Sequence, residues 1–380
     1  MKLLIVQPFL NIKGGYARVI LKIAQHYDAT IYTLEYEKDK TFDEFKSINI
    51  KTISKHVPFS EMLPYRASQG LRYGYAFYNM KLEDDFDLIN AHISPSEFIR
   101  HKNSPVLWYC HTPPREVYDM YSIRMKGRSY KDKIVYASFV SVYKFLAKGI
   151  VSNIEEIATN SNNTKSRIKK YFMRDSTVIS PGVDYELFSN KNDEKYFLYP
   201  SRITPTKRQE YAIKAFQRFL KMSGDKHYKL ILAGELSSDP EHRQYFQKLS
   251  KMASKNVVFK IDVTDKELID LYAHATAVLF TSINEDFGIV PLEAMASSKP
   301  IISVNEGGPK ETVVNNETGF LVNSPEEMAQ KMLLVSENKA LAEKLGRNGR
   351  QRVVKNYSWD VFLSKFDRLA RKTIKESSER

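Results

Sequence analysis

The sequence contains very little cysteine and no long uninterrupted apolar run. Among its 380 residues only Cys110 is a cysteine, so a disulfide framework and a cysteine-based metal site are both excluded. Residues 1–8 turn polar too early for a secretory signal, and the most apolar stretch, residues 134–154, is interrupted by Lys144 and Lys148. We therefore expect a cytoplasmic protein without a spanning helix.

Several common catalytic motifs are missing as well. The sequence has no G-x-S-x-G nucleophile motif, no P-loop, no H-E-x-x-H pair and no D-x-D pair placed to hold a metal. Its eight histidines are scattered along the chain. The sequence therefore predicts no metal site.

Composition indicates a soluble, globular and basic protein. Hydrophobic residues make up 42% of the chain and charged residues 27%, and the length suffices for two domains. The net charge of +13 is shared by both halves of the chain. Two basic clusters, residues 124–133 and 165–174, also contain aromatic or apolar side chains. They suit anionic lipid head groups or nucleic acid, or they form solvated faces.

The order of apolar runs predicts an α/β protein with two doubly wound parallel sheets in tandem. Short strand-like runs alternate with helical patterns in both halves. The predicted strands are residues 2–6, 30–34, 88–91, 106–110, 156–160 and 176–180, then 196–200, 229–233, 257–260, 277–280, 300–303 and 319–322. A polar linker is predicted at residues 189–194, and a cleft between the two sheets is expected. Ligands of such sheets bind where the strands end.

Two carboxylates flank one of these strand ends. Glu285 follows the run 277–281, and Glu293, with seven residues between the two, is predicted in the first turn of a helix. Gly288 lies between them, where free N–H groups and a helix dipole would favour an anion. Such a site suits a phosphate with hydroxyl-rich groups at both ends, which is the shape of a nucleotide sugar. The alternative is a surface acid and a carboxylate that only favours the dipole.

Cations follow the first strand of the second half. Arg202 and Lys207 lie five residues apart across a turn into a helix, where they could clamp a diphosphate. They would also stabilise negative charge on a phosphate leaving group. Two plain surface cations are the alternative. Glu311, in the strand-to-helix segment that begins with Gly307 and Gly308, either joins a ligand site or favours a helix dipole.

The first half offers further strand-end candidates. Gly14 and Gly15 open a helix but do not form the G-x-G-x-x-G pattern, so they either approach a ligand or make a tight turn. His111 follows the run 106–110 and lies beside a Pro-Pro turn, where it is either a catalytic or a structural histidine. Arg115 and Asp119 are spaced to pair on one helical face.

Taken together, these segments resemble the retaining glycosyltransferases of the GT-B type, specifically family 4. The stretch Glu285–Glu293 matches the family's E-x7-E motif, and residues 201–207 match its phosphate clamp. The similarity covers nearly the whole chain and includes residues 160–161, 181–184, 234–235 and 307–311. It implies a first domain of residues 1–188 with residues 358–380 returning to it, and a nucleotide-sugar-binding domain of residues 189–357.

The resemblance implies a role for each matching residue. Glu285 would contact the donor sugar, Glu293 would hold the ribose, and His111 would reach toward the transferred sugar. The implied catalytic residues are His111, Glu285, Arg202 and Lys207. The implied donor-binding residues are Gly15, Arg202, Lys207, Gly234, Val263, Glu285, Phe287, Gly288, Ile289 and Glu293. Gly14, Arg115 and Asp119 are expected on the acceptor side, and no metal or other cofactor is implied.

The segment 108–119 is similar to the subset that uses GDP-mannose and builds lipid-linked glycans. The implied activity is transfer of a hexose, here mannose, to a glycan or polyprenyl-linked acceptor, with retention by front-side attack. Peripheral contact with anionic lipid at the inner membrane face is expected, and no nucleic acid. Alternatives are a UDP-sugar-dependent glucosyl-, rhamnosyl- or N-acetylhexosaminyltransferase, a nucleotide-sugar epimerase, and a non-catalytic binding module.

Overall fold

The computed structural model describes residues 1–53 and 65–379, and the chain divides into two compact units. The first unit comprises Met1–Ser180 and Phe362–Arg380, and the second comprises Pro181–Val361. The predicted boundary falls after residue 188, whereas the second unit begins at Pro181. Residues 181–188 pack on the second unit because Arg350 donates hydrogen bonds to the carbonyl oxygens of Tyr185 and Phe188, at 2.7 and 2.9 Å.

In its described part, the first unit contains a seven-stranded parallel sheet in the order β3-β2-β1-β4-β5-β6-β7. The strands are β1 (Leu3–Leu10), β2 (Thr30–Tyr36), β3 (Ile50–Thr52), β4 (Leu88–Ala91), β5 (Val106–Cys110), β6 (Glu156–Thr159) and β7 (Thr177–Val178). The helices are α1 (Gly15–Tyr27), α2 (Tyr65–Asn79), α3 (Tyr121–Met125), α4 (Tyr130–Ser152) and α5 (Asn162–Phe172). The edge strand β3 was not predicted, because a run of three mostly exposed residues carries no clear strand pattern.

The second unit contains a six-stranded parallel sheet in the order β10-β9-β8-β11-β12-β13. The strands are β8 (Tyr196–Pro200), β9 (Lys229–Gly234), β10 (Val257–Ile261), β11 (Ala277–Phe280), β12 (Ile301–Val304) and β13 (Gly319–Val322). The helices are α6 (Gln209–Ser223), α7 (Pro240–Met252), α8 (Asp265–His274), α9 (Ile289–Ala296), α10 (Pro309–Thr312), α11 (Pro325–Glu337) and α12 (Lys339–Asn356).

Both faces of the second sheet are buried, which explains its continuous apolar strands. Along β8, Phe197 and Tyr199 join the core on one face, while Tyr196 and Leu198 join the core on the other. The alternation follows from the two-residue period of a strand. The first sheet shows the same continuity, since all five residues of β5 are buried.

The last helix, α13 (Trp359–Ser378), packs on the first unit, as predicted. Its apolar face includes Phe362 and Phe366, both fully buried. Phe366 lies 6.0 Å from the ring of Tyr27, whose hydroxyl donates to Asp367 at 2.9 Å. The predicted return of the C-terminal helix to the first domain is therefore confirmed.

Helix α4 differs from the prediction for this region. It runs without a break for 23 residues, beginning after Ser129, whose hydroxyl accepts from the Asp132 N–H. Within the described residues, α4 is the one helix long and apolar enough to cross a membrane, and 28% of its most apolar stretch is buried. Lys144 and Lys148 do not prevent this, since they are the two charged residues between residues 134 and 152. A single helix of this kind is weak evidence for a membrane span.

The strand order fixes where ligands can bind in each unit. The direction of winding reverses between β1 and β4 in the first sheet, and between β8 and β11 in the second. Open parallel sheets bind ligands at the carboxyl ends of the strands beside such a reversal. The residues that follow β8 and β11, and those that follow β1, β4 and β5, are therefore the ones to examine.

Candidate active site

Lys207 and Glu285 meet at the reversal point of the second sheet. Lys207 ends the short 3₁₀ helix Pro205–Lys207 that follows β8, and Glu285 lies in the loop after β11. The Lys207 Nζ is 2.5 Å from the Glu285 Oε2, and the two side chains are 19% and 23% exposed. Ser282 completes the contact, because its hydroxyl donates to the same carboxylate oxygen. The structure thus joins two of the predicted catalytic residues in one half-buried ion pair.

Buried hydroxyl groups hold the turn that carries Lys207. Tyr199, on β8, donates its hydroxyl hydrogen to the Lys207 carbonyl oxygen. The Thr281 Oγ1 lies 2.9 Å from the same Tyr199 oxygen and 2.9 Å from the carbonyl oxygens of Lys207 and Arg208. Burial raises the pKa of Tyr199 well above its usual value, so the hydroxyl keeps its proton. These contacts fix the backbone of Lys207 against the end of β11.

Arg208 was not predicted as a site residue, yet it ties two loops together. Its Nε donates to the Thr281 carbonyl oxygen at 2.6 Å, and its Nη2 donates to Glu306 at 3.0 Å. The other oxygen of Glu306 accepts from the Asn284 N–H at 3.3 Å. Arg208 therefore holds the loop that carries Glu285, through Thr281 at its start and through Glu306. Its position directly after Lys207 was the only signal in the sequence.

Arg202 does not join this cluster of contacts. Its side chain is exposed, and among the described residues its guanidinium has no hydrogen-bond or ion-pair partner. An exposed guanidinium suits an incoming phosphate as well as it suits solvent. The assignment of Arg202 to the diphosphate stays a prediction.

Glu293 lies one turn deeper in its helix than predicted. Helix α9 begins at Ile289, after Gly288, which has a φ of 85°. Glu293 is therefore the fifth residue of the helix and not part of its first turn. This correction arises because the left-handed Gly288 starts the helix two residues before Pro291. The Tyr272 hydroxyl donates to the Glu293 Oε2 at 2.6 Å.

The Tyr272–Glu293 contact fixes one carboxylate oxygen of Glu293. Replacing Tyr272 by phenylalanine removes the hydrogen bond while the ring stays in place. We expect the KM for the donor nucleotide to rise about 3- to 10-fold with kcat nearly unchanged, since one hydrogen bond contributes about 0.5–1.5 kcal/mol. Steady-state kinetics measures this, with Tyr196→Phe as the control, since that variant loses a tyrosine hydroxyl that donates only to a backbone carbonyl oxygen, that of Leu271.

Gly307 and Gly308 pack against the Glu285 loop, backbone to backbone. A Cβ on Gly307 would lie 2.4 Å from the Glu285 carbonyl oxygen, and one on Gly308 would lie 2.2 Å from that of Phe287. The Gly308 N–H also donates to the Glu285 carbonyl oxygen at 2.8 Å. These glycines therefore set the position of Glu285. Glu311 lies in the first turn of α10, as one of the two interpretations expected.

The remaining predicted donor-side residues surround the same loops. Gly234 has a φ of 154°, and a Cβ there would lie 2.0 Å from the Ser201 carbonyl oxygen. The end of β9 therefore packs directly against the backbone of the turn after β8. Val263 is half-buried between β10 and α8. The Phe287 side chain is buried, with its ring 6.1 Å from that of Tyr357. Their roles in donor binding stay predictions, as does that of the Ile289 N–H.

Gly14 and Gly15 begin α1 after β1 without a strained turn. Gly14 precedes the helix with an extended backbone, at a φ of −159°. Gly15 is the first helical residue, and a Cβ there would meet no heavy atom within 4 Å. The backbone angles of both positions are ones that any residue can adopt. The interpretation of the two glycines as a tight turn is therefore not supported. Open space at Gly15 is compatible with its predicted approach to a ligand.

His111 lies at the end of β5 and contacts a second histidine. Its Nε2 is 3.0 Å from the Nδ1 of His92, and the His92 Nε2 is 2.7 Å from the Asn90 Oδ1. Burial lowers the pKa of His92 well below its usual value and that of His111 to about 3. Both rings are therefore neutral near pH 7. His92 was not predicted, although it follows β4 directly and meets the same strand-end criterion as His111.

Arg115 and Asp119 form the predicted pair, but in a turn and not in a helix. The Arg115 Nε donates to the Asp119 Oδ2 at 3.0 Å, and both side chains are about one-fifth exposed. Arg167, on α5, approaches the same oxygen at 3.9 Å and donates to Thr112 at 3.2 Å. The three side chains brace the segment after His111. A role on the acceptor side stays a prediction.

Known proteins resemble this chain at the levels of family, sequence and fold. Residues 186–352 match the family model described as "Glycosyl transferases group 1". The alpha-1,3/1,6-mannosyltransferase ALG2 of Mus musculus is 26% identical, with 98% of this chain and 96% of the relative covered. The enzyme of that name from Dictyostelium discoideum is 27% identical, with 71% of each covered. The crystal structure of Anabaena Alr3699/HepE in complex with UDP-glucose has a TM-score of 0.74 at 17% identity and covers 100% of both chains.

These findings agree with the observed architecture. The matched residues 186–352 lie inside the second unit and include Lys207, Glu285 and Glu293. The predicted GT-B fold, with two Rossmann-like units and a returning helix, is confirmed. The predicted resemblance to GT-B mannosyltransferases is confirmed, and so is the prediction of a hexosyltransferase.

Proposed function

We propose that this GT-B hexosyltransferase transfers mannose from GDP-mannose to a lipid-linked glycan, with retention of configuration and without a metal ion. The mannosyl assignment draws support from relatives named as alpha-1,3/1,6-mannosyltransferases, which align along nearly the whole chain. The observation that carries the catalytic part is the Lys207–Glu285 ion pair at the reversal point of the second sheet.

The two residues of the ion pair act on the two sides of the bond that breaks, which joins the sugar to the diphosphate. When the donor diphosphate enters, the Lys207 ammonium faces phosphate oxygens, and the Glu285 carboxylate is released toward the sugar hydroxyls. The acceptor hydroxyl oxygen then bonds to the anomeric carbon as the bond from that carbon to the phosphate oxygen breaks. The bonding electrons pass to the leaving phosphate, which also takes the hydroxyl proton on the same face of the sugar. Retention follows because attack and departure share that face.

The cations near the leaving diphosphate are expected to contribute most to catalysis, because negative charge develops there as the bond to the sugar breaks. Lys207 is held beside the Ser282 hydroxyl, at 3.3 Å, so its ammonium is already positioned when charge develops. A charged group that is already in position stabilises the transition state more than a group that must first move into place. Arg202 adds a guanidinium fork from the same turn. Because these two cations supply positive charge at the diphosphate, we expect full activity in the presence of EDTA.

Helix α4 gives the proposed lipid-linked acceptor a membrane surface to approach from. Its exposed apolar side chains are Ile134, Val135, Val142 and Phe145, with exposures of 52%, 41%, 56% and 80%. Ser138 and Ser141 continue this exposed side, and no charged residue interrupts it between residues 134 and 142. Lys131 and Lys133 lie at the start of the helix. An apolar stripe beside cations suits the interface of an anionic bilayer.

Placing charge on this stripe tests the membrane proposal. We expect Val142→Glu with Phe145→Glu to reduce co-sedimentation with vesicles of phosphatidylcholine and 30% phosphatidylserine by about 10-fold or more, because both glutamates would enter the interface. Met222→Glu, on α6, is the matched control, since Met222 is also exposed, at 47%, but lies in the second unit. Equal vesicle binding by the wild type and the double variant would overturn the assignment of α4.

Thermal unfolding with a panel of nucleotide sugars tests the donor. Ligands that bind only the folded state raise the Tm as their concentration exceeds the Kd. We expect GDP-mannose to raise the Tm in EDTA and Glu293→Ala to abolish the shift. A shift with UDP-sugars alone would retain the glycosyltransferase and discard GDP-mannose. The absence of a shift with every nucleotide sugar would contradict the proposed function.

A further inference from the structure

We propose that His92 is a positioning residue that fixes the tautomer of His111, so that the Nδ1 of His111 is a hydrogen-bond acceptor. The inference deepens the proposed function, since it rests on His111 facing the transferred sugar. Its physical basis is a chain of three side chains, from Asn90 through His92 to His111, at the ends of two neighbouring parallel strands.

The backbone of His92 is held on every side. His92 is fully buried and follows β4, where its N–H donates to the Val6 carbonyl oxygen at 3.1 Å and to the Ser96 hydroxyl at 3.0 Å. The Trp108 indole N–H donates to the His92 carbonyl oxygen at 2.8 Å. Full burial and the contact with Asn90 restrict the imidazole ring itself, so it has little freedom to turn away from His111.

The direction of each hydrogen bond follows from the amide of Asn90. The Asn90 Nδ2 donates to the Leu107 carbonyl oxygen at 3.0 Å, so its Oδ1 is the atom that faces His92. An amide oxygen only accepts, and the His92 Nε2 at 2.7 Å must therefore carry a hydrogen. In a neutral ring the His92 Nδ1 is then an acceptor, so the His111 Nε2, 3.0 Å away, must donate to it.

The neutral form of both rings is what their surroundings favour. The groups packed against the pair are aromatic: Tyr109 lies 5.7 Å from the His92 ring and 4.9 Å from the His111 ring, and Tyr16 lies 6.2 Å from His111. No carboxylate of the described residues contacts either imidazole. With Nε2 protonated, the Nδ1 of His111 carries a lone pair, and it has no partner among the described residues.

The chemical consequence is that His111 presents a hydrogen-bond acceptor, and not a donor, to the sugar. The His111 Nδ1 accepts a hydrogen bond from a hydroxyl of the donor or acceptor sugar, and His111 does not act as a proton donor. A proton cannot pass from the two histidines to the sugar unless the hydrogen bond between His92 and Asn90 breaks. His92 thus acts on the reaction only through His111.

Two substitutions of His92 separate this role from packing. Asparagine places an acceptor oxygen near the former Nδ1, whereas glutamine places a donor nitrogen near the former Nε2 but offers His111 no acceptor in the same place. We expect His92→Gln to lower kcat about 10- to 100-fold and His92→Asn to stay within about 5-fold of the wild type. Both variants should unfold at similar temperatures. Equal losses of kcat in the two variants would overturn the proposal in favour of a packing role.

Two further readouts separate the test from packing, and the first of them does not depend on the proposed function. In the full-length protein, ¹⁵N shifts of the imidazoles report which nitrogen is protonated, and His111→Gln identifies the His111 signals. We expect a single Nε2–H tautomer in the wild type and a mixture in His92→Gln, while an Nδ1–H tautomer in the wild type would overturn the proposal. The double variant His92→Gln/His111→Ala should be no slower than His111→Ala alone. If the tautomer is as stated but no nucleotide sugar is turned over, the proposed function has failed and the positioning inference fails with it as a catalytic claim.

Discussion

Replacing Lys207 by alanine is expected to lower kcat/KM for the nucleotide-sugar donor about 10²- to 10³-fold. The Lys207 ammonium lies 2.5 Å from Glu285 at the end of β11, where the donor diphosphate is proposed to bind. A preorganised charge that stabilises a developing anion contributes a factor of this size in enzymes. Most of the loss should appear in kcat, because charge on the leaving diphosphate grows only as the bond to the sugar breaks.

The fold should tolerate this substitution. Both side chains of the Lys207–Glu285 pair are partly exposed, and a pair of that kind contributes up to about 1 kcal/mol. Glu285→Gln should lower kcat/KM by a similar factor, because the neutral amide can neither orient Lys207 as firmly nor accept from sugar hydroxyls as strongly. The double variant should lose less than the product of the single effects, since the two residues act as a unit.

Lys191 provides a matched control for Lys207. Its Nζ lies 2.8 Å from Asp270, also in the second unit, and both side chains are more than half exposed. Lys191→Ala should leave kcat/KM within about 2-fold of the wild type. Steady-state kinetics compares Lys207→Ala, Glu285→Gln, their double variant and Lys191→Ala with the wild type. Retention of kcat/KM within about 3-fold in Lys207→Ala would refute the catalytic role of this lysine.

A single methyl group at Gly308 is expected to lower kcat/KM about 10²-fold. The Gly308 backbone, with φ −57° and ψ −37°, suits alanine, so the effect comes from the clash of the new Cβ with Phe287, 2.2 Å from its carbonyl oxygen. Backbone atoms cannot move aside as a flexible side chain can, so the Glu285 loop must shift. A displacement of about 1 Å at a catalytic group costs a factor of this size. Overpacking also lowers the free energy of unfolding by about 1–3 kcal/mol.

Gly149 is the control for this second prediction. It lies in α4, and a Cβ there would meet no heavy atom within 4 Å. Gly149→Ala should raise the free energy of unfolding by about 0.5–1 kcal/mol, through helix propensity, and leave kcat unchanged. Urea unfolding and kinetics on both variants provide the comparison. If Gly308→Ala matches the wild type in activity and stability, the packing of residues 307–308 does not set the Glu285 loop.

Much of the fold could be predicted because parallel strands buried on both faces leave apolar runs in the sequence. The bounds of β8 and β11 coincide with the predicted residues 196–200 and 277–280. The order of strands in each sheet could not be read in this way, since it depends on which runs pair. Helix α4 was also missed, because its exposed side is apolar and therefore lacks the amphipathic contrast that marks a surface helix.

The candidate site was predicted in part for a physical reason as well. Residues that follow neighbouring parallel strands come together at one edge, which brought Lys207 and Glu285 into contact across 78 positions of sequence. His92 meets the same criterion but has no motif around it. The bracing contacts of Arg208 depend on loop geometry, and so does the start of α9 directly after Gly288, so neither could be derived from residue types alone.

The most direct test of the account is transfer of labelled mannose from GDP-mannose to a synthetic polyprenyl-diphosphate-linked glycan, in EDTA. The account predicts a product one mannose larger, with an α linkage, formed by the wild type and reduced about 10²-fold or more in Lys207→Ala. A product formed only from UDP-sugars, a β-linked product, or a rate that Lys207→Ala does not change would contradict it.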